Sequence, residues 1–406
     1  MTRKPVSVAT TKRARAKAVQ STRMVKATVH LSDTVLAAQC FKSIPYETVD
    51  QALSTVDRTR RQLRKFSDHL VVYFCILMAF FMESSYLHVF ERLKQTFDWL
   101  CGFPIPDISD EAIVQARQRV TSAPMKALFQ LVAKPLATHD TPGAFFHNLR
   151  LTVIDGSTFD VADSPANAEL GKVTNQSGKS AFPLVRAVAL IEWATRAVID
   201  LACGPYVGSS ELSLARIIIE RMPSGLLCLG DRNFPGTDLC RLVTERGSHF
   251  VWRVKRVFKL KPIKRLADGS FLAYLTDSVD NPLVVRVIEY KLRGGKETYR
   301  IVTSILESTD GGAEELARLY HCRWGVETFI GEIKTDLRAP QILLRSKHPD
   351  TVYQELYGMF LAHYVVRAFM FEAAQKAGIP SDHLSFKHAV HVIRTHLPKA
   401  GSFSPS

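Results

Sequence analysis

Residues Tyr320–Lys334 read YHCRWGVETFIGEIK. On an α-helix each residue advances about 100° around the axis, so the stretch can be placed on a wheel. With Tyr320 at zero, Arg323, Glu327 and Lys334 fall at roughly 300°, 340° and 320°. A phenol, a guanidinium, a carboxylate and an ammonium then share a strip about 60° wide. Val326, Phe329, Ile330, Ile333 and Leu337 occupy the neighbouring arc. The spacing therefore predicts a helix that buries one side and presents a row of charge beside it. Gly331, near 20° on the wheel, leaves room for a bulky group to approach the carboxylate. Ordinary pairs four residues apart, such as Arg323–Glu327, would explain such a strip on any solvated helix. Upstream residues have to decide.

Two further carboxylates stand where strands are predicted to end. Asp155 closes LTVID and is followed by Gly156 and Ser157; Asp231 closes GLLCLGD and is followed by Arg232, Asn233 and Phe234. With these on the page, the order Tyr320, two residues, Arg323, three residues, Glu327, six residues, Lys334 resembles the Y-(2)-R-(3)-E-(6)-K signature of the bacterial insertion-sequence family four transposases. Asp155 in IDGS and Asp231 in GDRNF match that family's first and second catalytic aspartates, and Glu327 matches its catalytic glutamate. The resemblance spans residues 45 to 395. It implies an α/β fold: a ribonuclease H-like catalytic core with a β-rich insertion, preceded by a mostly helical N-terminal DNA-binding domain.

Composition agrees with a polyanionic partner. The 406 residues carry 53 Lys and Arg against 39 Asp and Glu, a formal net charge of +14, which favours nucleic acid over a membrane surface. Seven cysteines are scattered with no CxxC and no Cys/His ligand spacing, which argues against a zinc site and for a reducing, cytoplasmic setting; the resemblance implies a place beside the nucleoid. No apolar stretch follows the basic N-terminus as in a signal peptide. The longest apolar run, Leu70–Met82, falls short of the about 20 residues that a bilayer span requires.

Along the chain, residues 1–44 form a basic arm expected to be flexible until it meets phosphates. Residues 45–138 carry helical patterns, including Val71–Met82, Ser85–Leu100, a helix opened by Ser109 with Arg117 and Arg119 exposed, and Pro124–Ala133. This is the implied DNA-binding domain. Residues 150–255 and 306–380 make the catalytic core: strands Leu151–Asp155, Leu184–Glu192 and Ala197–Ala202, a helix over Ser210–Met222, strand Leu226–Asp231, a helix near Asp238–Arg246 and strand His249–Lys255. That β-β-β-α-β-α-β order is the ribonuclease H-like one, although spacing alone suits several α/β folds. Between them, residues 256–305 alternate as antiparallel strands with Gly294–Gly295 as a turn, matching the family's insertion. Its cations, Lys255, Arg256, Lys259, Lys261, Lys264 and Arg265, suit a surface against DNA. Related transposases hold a flipped base on an aromatic of this insertion; Trp252, in the preceding strand, is the nearest one. Asp350–Gly378 reads as a long amphipathic helix behind the sheet, and residues 381–406 as a C-terminal tail with one short helix.

Phosphodiester cleavage needs an activated water, in-line geometry and charge relief on attacking and leaving oxygens, all of which two divalent ions supply. Three acids make a natural cradle for Mg²⁺, with Mn²⁺ as a substitute. Asp155, Asp231 and Glu327 are the expected ligands, Asp155 shared and the other two each serving one ion. Tyr320, Arg323 and Lys334 are the expected contacts to DNA ends. Asp160, Asp163, Glu211 and Glu332 are weaker acid candidates; Glu332 points roughly 140° away from Glu327 and is excluded from the ion cluster. The implied activity is cut-and-paste transposition: hydrolysis frees a 3′-hydroxyl at each element end and that hydroxyl attacks target DNA. The partners would be double-stranded DNA, as terminal inverted repeats and target, and a second copy in a synaptic homodimer, with no membrane. A catalytically inactive DNA-binding remnant and a plain ribonuclease H-like nuclease are the rival readings.

Overall fold

The structure is a computed structural model that describes residues 6–8, 43–56, 66–101, 105–175, 178–255, 257–275, 282–292, 297–323, 328–337 and 343–396. Among the described residues, five helices lie between residues 43 and 138: α1 (Tyr46–Ser54), α2 (Asp68–Phe80), α3 (Tyr86–Cys101), α4 (Asp110–Val120) and α5 (Ala123–Val132). Short polar side chains start two of them: Ser67 Oγ accepts the Leu70 N–H and Ser109 Oγ accepts the Ala112 N–H, each satisfying a first-turn donor.

The strands are β1 (Val6–Val8), β2 (Phe145–Phe146), β3 (Leu149–Asp160), β4 (Thr174–Asn175), β5 (Gly178–Lys179), β6 (Leu184–Glu192), β7 (Val198–Pro205), β8 (Leu226–Gly230), β9 (His249–Arg253), β10 (Pro262–Arg265), β11 (Phe271–Leu275), β12 (Leu283–Leu292) and β13 (Thr298–Thr303). Helices α6 (Glu211–Arg221) and α7 (Thr237–Glu245) alternate with β7, β8 and β9. After β13 come α8 (Ala313–Cys322), the single turn α9 (Thr328–Gly331), a π-helical run over Glu332–Leu337, the long α10 (Pro349–Ala377) and α11 (Phe386–His396).

The main sheet runs β10-β11-β12-β13-β9-β8-β3-β6-β7. β3 pairs antiparallel with β6 and β6 with β7, whereas β3–β8 and β8–β9 are parallel. This order and these directions are those of a ribonuclease H-like core. The β-rich insertion does not form a sheet of its own; β13 pairs antiparallel with β9 and carries the same sheet outward to β10. Val6–Val8 joins β12 in parallel, so this part of the basic arm is a strand rather than a free tail. Gly294–Gly295, Arg256 and most of the arm lie outside the described residues.

Alternation along β3 divides the two cores. Ile154 packs with Leu190, Leu214, Ile218 and Trp252 under α6 and α7. Val153 and Phe159 face the other way, with Ile333 and Phe360, so α10 covers this second face. Helix α10 is less one-sided than its pattern suggests, because nearly every residue from Pro349 to Arg367 is buried. Helix α2 closes its far side, and the two backbones touch: a Cβ on Gly358 would lie 2.3 Å from the Cys75 carbonyl oxygen.

The same junction corrects one expectation. Arg117, expected to be exposed, is 2% exposed. Its guanidinium donates to Ser346 Oγ at 2.9 Å, to the Thr351 carbonyl at 2.8 Å and to the Tyr86 hydroxyl at 2.9 Å. Arg119 is half-buried and pairs with Asp68 at 3.0 Å. Arg117 locks the helical region onto the core, while Arg119 ties α4 to the start of α2 within that region; a wheel of α4 alone reveals neither role. Among the described residues, no helix is long and apolar enough to cross a membrane.

Gly358→Val would force a branched side chain into the Cys75 backbone. We expect it to lower the unfolding free energy by about 1–3 kcal/mol, read as a shift in the urea midpoint; an unchanged midpoint would contradict the backbone contact.

Candidate active site

The site grows from a fork between two parallel strands. β3 and β8 pair only from Arg150–Leu226 to Val153–Leu229. Beyond that point β8 stops at Gly230, while β3 continues against β6 as far as Asp160. Asp155 is therefore inside a strand of 12 residues, not at its end. The expected strand end holds for Asp231, directly after β8, but not for Asp155; both nevertheless lie just past the last shared pair, where the two backbones part.

Each aspartate is held by its own backbone. Asp155 Oδ1 accepts the Gly156 N–H at 3.0 Å, and Asp231 Oδ1 accepts the Asn233 N–H at 2.7 Å. Burial pushes the Asp155 carboxyl up to about 6, and the negative charges of Asp231 and Glu211 push the same way. The Gly156 N–H and the Arg323 guanidinium oppose that rise. Asp155, Asp231, Glu211 and Arg323 are thus electrostatic neighbours. Asp155 also lines a narrow cavity with Ser157, Phe159, Ala187, Ile330 and Ile333, which places the segment after α8 directly over β3.

Helix α8 delivers Tyr320, and Arg323 caps its C-terminal end. Both are enclosed, at 5% and 6% exposure. The Arg323 guanidinium carbon lies 5.8 Å from the centre of the Tyr320 ring. Burial raises the Tyr320 phenol, against a hydrogen bond and charge from Arg323 and the charge of Arg253. Arg253 in turn sits 4.7 Å over the Tyr299 ring, which stacks on Tyr290 at 5.4 Å. The insertion strands β12 and β13 therefore supply the aromatics, and β9 the cation, of a wall for α8. Trp252 is not available to hold a base: it is fully buried, with its indole filling the space a Cβ on Gly230 would need, 2.8 Å away.

The single continuous α-wheel does not survive. Helix α8 ends at Cys322, residues 324–327 lie outside the described residues, and Glu332–Leu337 winds as a π-helix. Glu327 is among the residues so omitted. Wheel angles computed at about 100° per residue do not carry across a π-helical run. Lys334 is half-exposed, with its Nζ 5.2 Å from the centre of the Phe159 ring, on the same strand face as Asp155.

Glu332 goes elsewhere. It is 7% exposed and pairs with Arg367, with His363 at 3.3 Å and with Arg196 at 3.5 Å. Burial would raise its carboxyl, but the His363 hydrogen bond and the Arg367 charge outweigh that and hold it at about 2. This network pins the π-helical run to α10. Asn233 was not singled out by sequence reasoning; the Asp-x-Asn turn at residues 231–233 was the available signal. Among the described residues, no group of three acid, His or Cys side chains stands ready to hold a metal ion.

Comparison with known proteins places this geometry in a family. The family model for the transposase DDE domain matches residues 147–365, and the one for the insertion element 4 transposase N-terminal region matches residues 36–130. The chain belongs to the insertion element 4 family of DDE transposases. The InsG transposase of insertion sequence element IS4 from Escherichia coli is 25% identical over 372 residues, covering 88% of this chain and 82% of that protein. The piggyBac transposase, in a synaptic complex with hairpin DNA, is similar over 91% of this chain and 80% of its own, at 14% identity and a TM-score of 0.44.

A pH prediction follows for this transposase. The Asp155 carboxyl is raised from 3.8 to about 6, so the folded state holds that proton more tightly than the unfolded chain. The resulting stability is complete below about pH 4 and is lost as pH rises through about 6. Asp155→Asn escapes the loss. In EDTA at pH 8 it should be more stable than wild type by up to about 3 kcal/mol, and the gap should close near pH 4. Equal urea midpoints at pH 8 would contradict the burial of this charge.

Proposed function

We propose that this transposase binds the ends of its own insertion element and catalyses divalent-metal-dependent cleavage and strand transfer of DNA. The observation that carries the reading is the fork itself: Asp155 and Asp231 are electrostatic neighbours where β3 and β8 part, with the buried Arg323 acting on Asp155. The donor set fits a hard divalent cation. Carboxylate oxygens are what Mg²⁺ and Mn²⁺ take, and Asp155 is a largely buried carboxylate with Asp231 and Glu211 as negatively charged neighbours.

Asp155, Asp231 and Glu327 would hold the ions. When bound, two such ions supply a polarised water and neutralise charge on the attacking and leaving oxygens. The remaining work falls to side chains. Arg323 carries a planar fork suited to a phosphate in two-point contact, and its nearness to Asp155 and Tyr320 supports a contact with the scissile strand. Tyr320 acts through its hydroxyl and through Arg323, since its ring is enclosed and offers no face for a base. Lys334 sits on the β3 face beside Phe159 and meets the DNA backbone as a point charge. Lys255, Lys259, Lys261, Lys264 and Arg265 are all exposed towards or along the edge strand β10, and extend the contact by neutralising phosphates. The helices before β2 take the terminal repeats. Two ends must be cut together, so a synaptic homodimer is the assembly this reading requires.

The experiment is a plasmid carrying the element's two ends, incubated with wild type, Asp231→Asn or Glu327→Ala in Mg²⁺ and, separately, in Ca²⁺. Only wild type in Mg²⁺ should cut at the end boundaries and leave 3′-hydroxyls, while all three proteins retain end binding. Binding without cutting by wild type would mark an inactive DNA-binding remnant. Cutting without joining to a target would mark a plain nuclease.

A further inference from the structure

Glu211 opens α6, where Ser210 and Ser213 form a reciprocal cap. An acid in the first turn of a helix is ordinary, since it meets the positive end of the helix dipole, and it usually faces water. Glu211 instead turns onto the sheet. A Cβ on Gly156 would lie 2.2 Å from Glu211 Oε1 and 3.0 Å from its Cδ. The carboxylate therefore rests on the backbone of the residue next to Asp155, in a space that only a residue without a side chain leaves open.

Asn233 connects it to the second aspartate. The Asn233 side chain hydrogen-bonds Glu211, while its backbone N–H donates to Asp231 Oδ1 at 2.7 Å. A carboxylate only accepts, so the amide NH₂ of Asn233 is the donor to Glu211. One residue thus fixes the turn on which Asp231 stands and is itself fixed from α6. Asp231 bears a like charge on Glu211, and Arg186 and Lys255 are the cations that face it. Holding a third carboxylate against such repulsion is unfavourable for folding alone; an arriving divalent cation reverses the sign of that cost.

We propose that Glu211 is a positioning residue of the active site: through Asn233 it fixes the Asp231 carboxylate in the orientation that receives a divalent cation. This rests on the reading of Asp155 and Asp231 as metal-holding residues. Partners that orient a metal ligand typically change affinity by about 10–100-fold when removed.

The test is calorimetric titration of the DNA-free transposase with Mn²⁺, alongside thermal melting in EDTA. Glu211→Ala and Asn233→Ala should each weaken Mn²⁺ binding about tenfold with little change in melting temperature. Glu211→Gln still accepts from Asn233 and should recover part or all of the lost affinity. Glu211→Ala titrating like wild type would overturn the proposal, as would Glu211→Gln binding no better than Glu211→Ala, which would leave charge alone at work. Asp155→Asn separates the two levels. If it abolishes Mn²⁺ binding while Glu211→Ala titrates like wild type, only the role of Glu211 fails. If wild type takes up no Mn²⁺, the metal reading itself fails.

Discussion

The constraint on which the molecule turns is the parting of two parallel strands. As long as β3 and β8 are paired, their backbone groups satisfy each other; past Val153 and Leu229 they separate, and the space between them must be filled by something that accepts hydrogen bonds and charge. Asp155 and Asp231 fill it by taking backbone N–H groups from the residues just after them, Gly156 in the strand and Asn233 in the turn. The price is like charge at close quarters in a partly dry place. Arg323 offsets part of it from one side of the sheet, and Glu211 adds to it from the other. On the proposed reading, a divalent cation would relieve that imbalance.

Everything peripheral serves to hold Arg323 and its helix against that fork. The insertion contributes more than a surface. Arg286, fully buried in β12, donates to the Gly311 carbonyl at 2.7 Å and pairs with Asp268, whose carboxylate also accepts the Ala313 N–H at the start of α8 at 2.9 Å. The insertion thereby caps the helix that carries Tyr320. On the opposite side, Glu332 ties the π-helical run to Arg367 and His363 of α10, and α10 is clamped in turn by Arg117 and by the backbone contact at Gly358. Buried ion pairs contribute little net stability when intact but are costly to break, which suits elements whose orientation matters more than their stability.

Much of this was legible in the sequence. The succession of strands and helices along the chain, the helices opened by Ser109 and Ser210 and the antiparallel run after Arg253 follow from apolar patterning and short polar caps, while the arrangement of the sheet came from the family resemblance. The two aspartates stood out as acids set into apolar strand patterns. What escaped depends on contacts remote along the chain. Asp155 was placed at a strand end because Gly156 and Ser157 look like a turn, whereas pairing with β6 carries the strand through them. Arg117 was read as exposed because its partners lie more than two hundred residues away. The signature was read on one regular wheel, which the π-helical run at Glu332–Leu337 breaks. Glu211 could be weighed as an acid, but its contact with Gly156 requires the crossover of α6 over β3.

The central claim is that Asp155 and Asp231 converge on a divalent cation. Anomalous diffraction from crystals of the transposase with its end DNA and Mn²⁺ tests it most directly. The account predicts a manganese peak between the two carboxylates, about 2.1 Å from an oxygen of each, that disappears in Asp231→Asn. Manganese bound elsewhere, with both carboxylates left uncoordinated, would contradict it.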